Sequence, residues 1–374
     1  MSFRVLLVDD SRLTRRIVAD TLAELPGLEV AGEAANGREC LEILALQKVD
    51  LVIMDVEMPE LDGIATLKEI SVRIPPERRP AVLMLSVLTQ HGALTTFRAL
   101  DLGALDFVPK PSANTGLDLE AIKLLLHGKV REIMQSVADR GALARKLVPS
   151  AAGSAPASAS QNSLQDTIPG SAVEIRGPQT KPTPGGYEMF VIGCSTGGPQ
   201  ALQEIFRALP GDFPVPILIV QHMPPFFTAA FADRLNGLGP ITVVEAISGM
   251  PLKPGHAYLA PGDRHMLVRK NGNEYLTVLN EDPPLRAHRP AIDKTLLSAV
   301  EAAGKRVGAL IMTGMGRDGV EGMEALAGVG GLTLAQDEAS SVVFGMNRRA
   351  IEAGAIYRVV ELKNVVEVLS VYFP

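Results

Sequence analysis

The sequence predicts an α/β protein made of two doubly wound parallel-sheet units in tandem. Three observations lead there. Short apolar runs alternate with helix-period segments in both halves of the chain. A low-complexity stretch rich in Ala, Ser, Pro and Gly separates the halves. At 374 residues with 47% hydrophobic side chains, the chain can bury more than one core.

In the first half Val5 to Val8, Val49 to Met54, Ala81 to Leu85 and Phe107 to Val108 read as buried strands, and the helical segments between them make the sheet parallel. Helical pattern runs again from Leu119 to roughly Val137. Residues 139–186, opened by Pro149, Gly153 and Pro156 and closed near Gly185 and Gly186, read as a flexible linker. This divides the chain into units of 1–138 and 187–374. In the second, Met189 to Ile192, Ile217 to Val220 and Val307 to Met312 read as strands, with a helix over Pro199 to Leu209. No internal repeat relates the halves.

A net charge of −6 gives no general reason to bind polyanions, so nucleic acid is not an expected partner. Cys40 and Cys194 are too few for a disulfide framework, and no Cys/His group has zinc-ligand spacing. The N-terminal apolar run is too short for a signal peptide, and no stretch approaches the ~18 apolar residues of a membrane span. A cytoplasmic protein without membrane insertion is expected.

In a doubly wound sheet the carboxyl ends of the strands converge on one crevice. The first unit's strand ends bring Asp9, Asp10 and Asp55 there. Three carboxylates so placed repel one another unless a hard cation neutralises them, and Mg²⁺ suits few carboxylates plus a carbonyl. The expected ligands are Asp10, Asp55 and the Glu57 carbonyl, with Asp9 assisting. Ser86 and Lys110 also fall at strand ends and would hold a phosphoryl group transferred to Asp55. Any one of these motifs alone reads more simply as a solvated turn.

The second unit opens with an apolar strand, a small-residue turn and a helix begun by Pro199: Ile192-Gly193-Cys194-Ser195-Thr196-Gly197-Gly198-Pro199. The G-x-S-x-G within it lets Ser195 project from a tight turn toward helix N–H groups. A phosphate-binding loop is the rival, but Pro199 stands where a P-loop has Lys. Among the histidines, His222 directly follows an apolar strand and should emerge beside Ser195 as the base. His256 and His265 are placed in a polar, turn-rich segment, and His288 is the remaining alternative. Asp318, in the Gly-rich loop after Val307 to Met312, is the orienting acid; a helix N-cap is its plainer reading. Ser, His, Asp is not the α/β-hydrolase order, and no His follows Asp318, so an ordinary lipase-type fold is disfavoured.

Asp9, Asp10, Asp55, Ser86 and Lys110, with Met58-Pro59 and Asp62-Gly63, resemble the response-regulator receiver family, whose fold is flavodoxin-like. Phe107 matches its aromatic switch position, and a core aromatic is the equal alternative. The Ser195 block, Gln221-His222-Met223-Pro224, Thr313-Gly314-Met315-Gly316-Arg317-Asp318-Gly319 and Ala335-Gln336-Asp337-Glu338 resemble the chemotaxis protein-glutamate methylesterase family over about residues 188 to 370. Three positions depart from that pattern: Cys194 for Ala, Ala291 for Ser and Asn347 for Pro.

The resemblance implies hydrolysis of glutamate methyl esters on chemoreceptors, together with deamidation of glutamines. It implies phosphorylation of Asp55 by a chemotaxis histidine kinase with Mg²⁺, and an unphosphorylated receiver that inhibits. Ester hydrolysis itself is expected to need no cofactor. Backbone N–H groups of Thr196 and Met315 are the oxyanion-hole candidates. A receiver fused to a DNA-binding output would need a helix-turn-helix and a basic face, which the second half lacks. A catalytically dead adaptor would not need Ser195, His222 and Asp318 together.

Overall fold

Runs of Val, Ile, Leu and Met with no polar interruption become strands buried on both faces, and the breaks between them become helices that cover the sheet. The computed structural model describes residues 2–87, 89–110, 119–146 and 182–374. Its first unit runs β1 (Phe3–Val8), α1 (Arg12–Leu22), β2 (Leu28–Ala34), α2 (Gly37–Leu46), β3 (Leu51–Asp55), α3 (Gly63–Arg73), β4 (Ala81–Ser86), α4 (Gln90–Asp101), β5 (Asp106–Pro109) and α5 (Leu119–Lys146). The strands are parallel in the order β2-β1-β3-β4-β5, so the order reverses between β1 and β3 and opens a crevice there.

Four helices begin on side-chain caps that the sequence supplies: Ser11, Asn36, Asp62 and Thr89 each accept a backbone N–H from the first turn. Strand β2 was not anticipated. It is an edge strand whose Glu29 and Glu33 interrupt the apolar run. Helix α5 continues to Lys146, past the Val137 where its pattern weakens, on the helix formers Ala142 to Lys146. Residues 147–181, most of the expected linker, lie outside the described residues.

The second unit runs β6 (Met189–Cys194), α6 (Gly198–Ala208), β7 (Ile217–Gln221), α7 (Phe227–Asn236), β8 (Thr242–Glu245), β9 (His256–Leu259), β10 (His265–Asn271), β11 (Glu274–Asn280), α8 (Ile292–Ala303), β12 (Val307–Ile311), α9 (Val320–Gly328), β13 (Leu332–Gln336), α10 (Met346–Glu352), β14 (Arg358–Val360) and α11 (Val365–Tyr372). Seven parallel strands pair as β14-β13-β12-β6-β7-β9-β8, and β10 and β11 form a separate antiparallel hairpin. The placing of His256 and His265 in a turn-rich segment is corrected here: they begin β9 and β10, and His265 is fully buried. Short strands broken by His256 and Tyr258 in β9, and by His265, Arg269 and Lys270 in β10, carry too little period to be told from loops.

The two units pack against each other through α4 and β5 of the first and α6 and α7 of the second. Phe107 stacks on Phe227 with ring centroids 4.3 Å apart, and Phe97 stacks on Phe231 at 5.2 Å. Gln200, on α6, donates to the carbonyls of Leu100 at 2.7 Å and Ala104 at 2.9 Å, where α4 ends.

Strand β6 lies so close to α8 that a methyl group on Gly193 would stand 2.6 Å from Ile292 Cγ2. Gly193→Ala is therefore expected to cost about 1–3 kcal/mol through overpacking, read as a lower urea midpoint at unchanged slope.

Candidate active site

Strands β6, β7 and β12 are neighbours in the sheet, so the loops leaving their carboxyl ends meet. Ser195 leaves β6, His222 leaves β7, and Asp318 lies in the loop from β12 to α9. The turn bearing Ser195 is held from both sides. Gln221 Nε2 donates to the Ser195 carbonyl at 3.0 Å, Thr313 Oγ1 donates to the Thr196 carbonyl at 2.8 Å, and Ser195 N–H reaches the Thr313 carbonyl at 3.0 Å. Gln336, ending β13, accepts the Thr313 N–H at 2.9 Å. Sequence reasoning missed Gln221, Thr313 and Gln336 as supports, though each stands at a strand end like the residues it found.

His222 Nε2 lies 2.7 Å from Asp318 Oδ2. Asp318 also accepts the N–H groups of Ile292 at 2.7 Å and Asp293 at 3.1 Å, the first residues of α8. Helix α8 has Ala291 at its N-cap and no side-chain cap of its own, so Asp318 supplies one from another loop. Burial raises the Asp318 carboxyl, but His222 and the two amides outweigh it and bring it down to about 2. The plain N-cap reading and the orienting-acid reading of Asp318 thus describe one carboxylate.

The other ring nitrogen, His222 Nδ1, is buried without a hydrogen-bond partner. Ser195 is 1% exposed and Thr196 fully buried. A Cβ on Gly314 would sit 2.7 Å from Ser195 Cβ, so the loop after β12 passes close against Ser195. Among the described residues the N–H groups of Thr196 and Met315 meet no acceptor within the chain.

The residue after Ser195 is engaged by the first unit. Lys129 Nζ donates to Thr196 Oγ1 at 2.8 Å, and Thr196 Oγ1 donates to Glu132 Oε2. Lys129 pairs in turn with Asp106. Burial raises the Glu132 carboxyl above its ordinary value, against the pull of Lys129 and Thr196.

In the first unit the carboxylates of Asp9, Asp10 and Asp55 approach within 4.8 Å of one another at the reversal of strand order. Asp9 and Asp55 are buried and Asp10 is exposed. Lys110 Nζ lies 2.5 Å from Asp55 Oδ2 and 3.0 Å from Asp9 Oδ2, although no donor is aligned for a hydrogen bond on the latter. Burial raises Asp55 to about 6 in spite of Lys110. Two buried carboxylates, one with an oxygen lacking a hydrogen bond, fit a hard divalent cation. Glu57 is exposed in the turn after β3, its side chain outside the cluster. Ser86 is buried and accepts a hydrogen bond from Thr96 Oγ1 of α4 at 2.6 Å. Phe107 is buried between Phe97 and Phe227.

Of the departures from the family pattern, Cys194 Sγ donates to Gln221 Oε1 at 3.1 Å, and Asn347 Nδ2 donates to the Gln336 carbonyl at 2.9 Å. Each thus bonds one of the two glutamines, Gln221 and Gln336, that hold the turn and its neighbour Thr313.

Comparison with known proteins adds the following. A family model described as CheB methylesterase matches residues 190–369, and one described as response regulator receiver domain matches residues 5–121. A protein-glutamate methylesterase/protein-glutamine glutaminase of Nocardioides sp. is 42% identical over 361 residues, 96% of this chain and 92% of the relative. Proteins of the same name from Pyrococcus horikoshii and Desulfotalea psychrophila are 37% and 40% identical, covering 97% and 98% of this chain and 92% and 97% of the relatives. Among the described residues no helix is long and apolar enough to cross a membrane.

A carboxyl held at about 2 against an ordinary 3.8 favours the folded form by about 2 kcal/mol above pH 4. That contribution is fully present above the unfolded value and disappears as pH falls toward 2. Urea unfolding of Asp318→Ala should therefore show a penalty of about that size at pH 7, narrowing as the pH drops below 4.

Proposed function

Because this chain belongs to the CheB methylesterase family and carries a response regulator receiver domain ahead of its catalytic part, we propose that Ser195, His222 and Asp318 are its catalytic triad. The ester they hydrolyse is the side-chain methyl ester of a glutamate on a chemoreceptor. One observation carries this reading: a histidine with one nitrogen on a buried carboxylate keeps its other nitrogen unengaged, at the strand ends from which Ser195 also projects.

His222 Nε2–H is held by Asp318, so Nδ1 is the basic nitrogen. Nδ1 takes the Ser195 proton as Oγ attacks the ester carbonyl, and the N–H groups of Thr196 and Met315 receive the oxyanion. The imidazolium returns its proton to the leaving methoxide, releasing methanol. Water then repeats the sequence on the acyl-enzyme, leaving a glutamate. With a glutamine side chain the same steps release ammonia instead, which is the deamidation that the relatives' name includes.

The phosphoacceptor in this reading is Asp55, with a histidine kinase as donor. Mg²⁺ bound by Asp10, Asp55 and the Glu57 carbonyl, with Asp9 nearby, would neutralise the carboxylates and the incoming phosphoryl group. Ser86 and Lys110 would then hold that group's oxygens. Both are linked to the interface: Ser86 is hydrogen-bonded to Thr96, next to Phe97, and Lys110 follows Phe107 by three residues. A nucleophile 1% exposed cannot admit a receptor side chain, which supports inhibition by occlusion until the receiver shifts.

Two predictions follow from this reading, scored as methanol release from methylated receptor. With acetyl phosphate and Mg²⁺, Ser195→Ala should lose hydrolysis, while Asp318→Asn should fall by about 10²–10⁴ and retain a measurable rate. Hydrolysis by Ser195→Ala at the wild-type rate would remove the triad assignment. Gln200→Ala, which deletes two contacts between the units but nothing at Ser195, should raise the unphosphorylated rate about three- to tenfold. Its phosphorylated rate should stay that of the wild type, and an unchanged basal rate would reject occlusion.

A further inference from the structure

His288 has no part in the steps above, yet its ring lies flat on that of His222, with centroids 3.8 Å apart and planes 4° from parallel. The turn that carries it is strained and firmly tied. Arg286 and Ala287 have φ of 49° and 68°, left-handed values that cost non-glycine residues roughly 1 kcal/mol or more each. Leu285 and His288 exchange both backbone hydrogen bonds across them, at 3.0 and 2.9 Å. Arg286 pairs with Asp293 and Glu321 on one side, and Arg289 pairs with Asp263 on the other. Strain over-determined in this way marks a conformation that the surroundings enforce.

The geometry at His222 supplies a reason. The bond to Asp318 fixes one atom of the ring, and the imidazole can still swing about that line, carrying Nδ1 toward or away from Ser195. A flat partner at van der Waals distance on one face resists that swing. We propose that His288 is a positioning residue for the hydrolysis, its ring setting the plane of the His222 imidazole so that Nδ1 meets Ser195 while Nε2 keeps Asp318. This rests on the reading of His222 as the base. Burial, followed by the charges of His222 and Lys129, pushes His288 down to about 3 against the opposing pull of Asp318. It therefore stays neutral while His222 accepts the serine proton, and the stack never holds two cations.

The test uses the full-length protein with acetyl phosphate, Mg²⁺ and methylated receptor. His288→Ala should lower kcat about tenfold or more with KM within about twofold, the pattern of lost orientation. His288→Phe, which keeps a flat ring and cannot titrate, should retain kcat within about threefold. By NMR the His222 ring protons should move downfield in His288→Ala, as the ring current above them is lost, and stay near their places in His288→Phe. Should the alanine variant fail to fold, His288→Leu keeps the volume without the flat face and should show the same kcat loss. Wild-type kcat in the alanine or leucine variant would overturn the proposal. So would a phenylalanine variant as slow as alanine, because the imidazole's own proton chemistry would then be in use. His222→Ala separates the two readings: if it is inactive while His288→Ala is fully active, only the role of His288 falls, and if it is active, the base assignment falls first.

Discussion

Two oxygens of one buried carboxylate tie together three parts of the second unit. Asp318 receives Nε2 of His222 from the end of β7 and two amides from the start of α8, while itself standing in the loop after β12. An unpaired buried carboxylate is costly to desolvate, so the site holds its charge only while all three donors are in place. The same requirement orients His222, caps a helix that has alanine at its N-cap, and holds α8 beside β6, where Gly193 has no room for a side chain.

Around that centre the polar groups beneath Ser195 follow one rule: each strand end contributes a side chain that hydrogen-bonds a neighbouring loop. Gln221 and Thr313 pair the carbonyls of Ser195 and Thr196, and Gln336 pairs the Thr313 amide, while among the described residues the N–H groups of buried Thr196 and half-buried Met315 meet no acceptor.

The contact between the units joins an aromatic patch to a buried polar one. Phe97, Phe107, Phe227 and Phe231 supply apolar area, whereas Asp106, Lys129, Thr196 and Glu132 form a chain of hydrogen bonds that ends beside Ser195. Pairing charges in a buried contact offsets much of their desolvation and contributes register more than affinity. Elements β4, α4 and β5 join the strand end that carries Asp55 to that contact.

What could be read from sequence was whatever local pattern determines. Uninterrupted apolar runs marked the central strands, the ends of those runs placed Asp9, Asp55, Ser86, Ser195 and His222 at or just past the carboxyl ends of strands, and the Gly-rich motif marked the tight turn that carries Ser195, because period and turn chemistry act over a few residues. Edge strands such as β2 and β14, and the β10-β11 hairpin, escaped because half-exposed short strands lack that period. Only the tertiary structure decided which nitrogen of His222 faces Asp318, that Asp318 caps α8, that Phe107 packs on the other unit, and that His288 covers the His222 ring. Each of these joins residues tens to more than a hundred positions apart, where the deciding quantities are distance and ring orientation across packed elements, and a linear pattern carries neither.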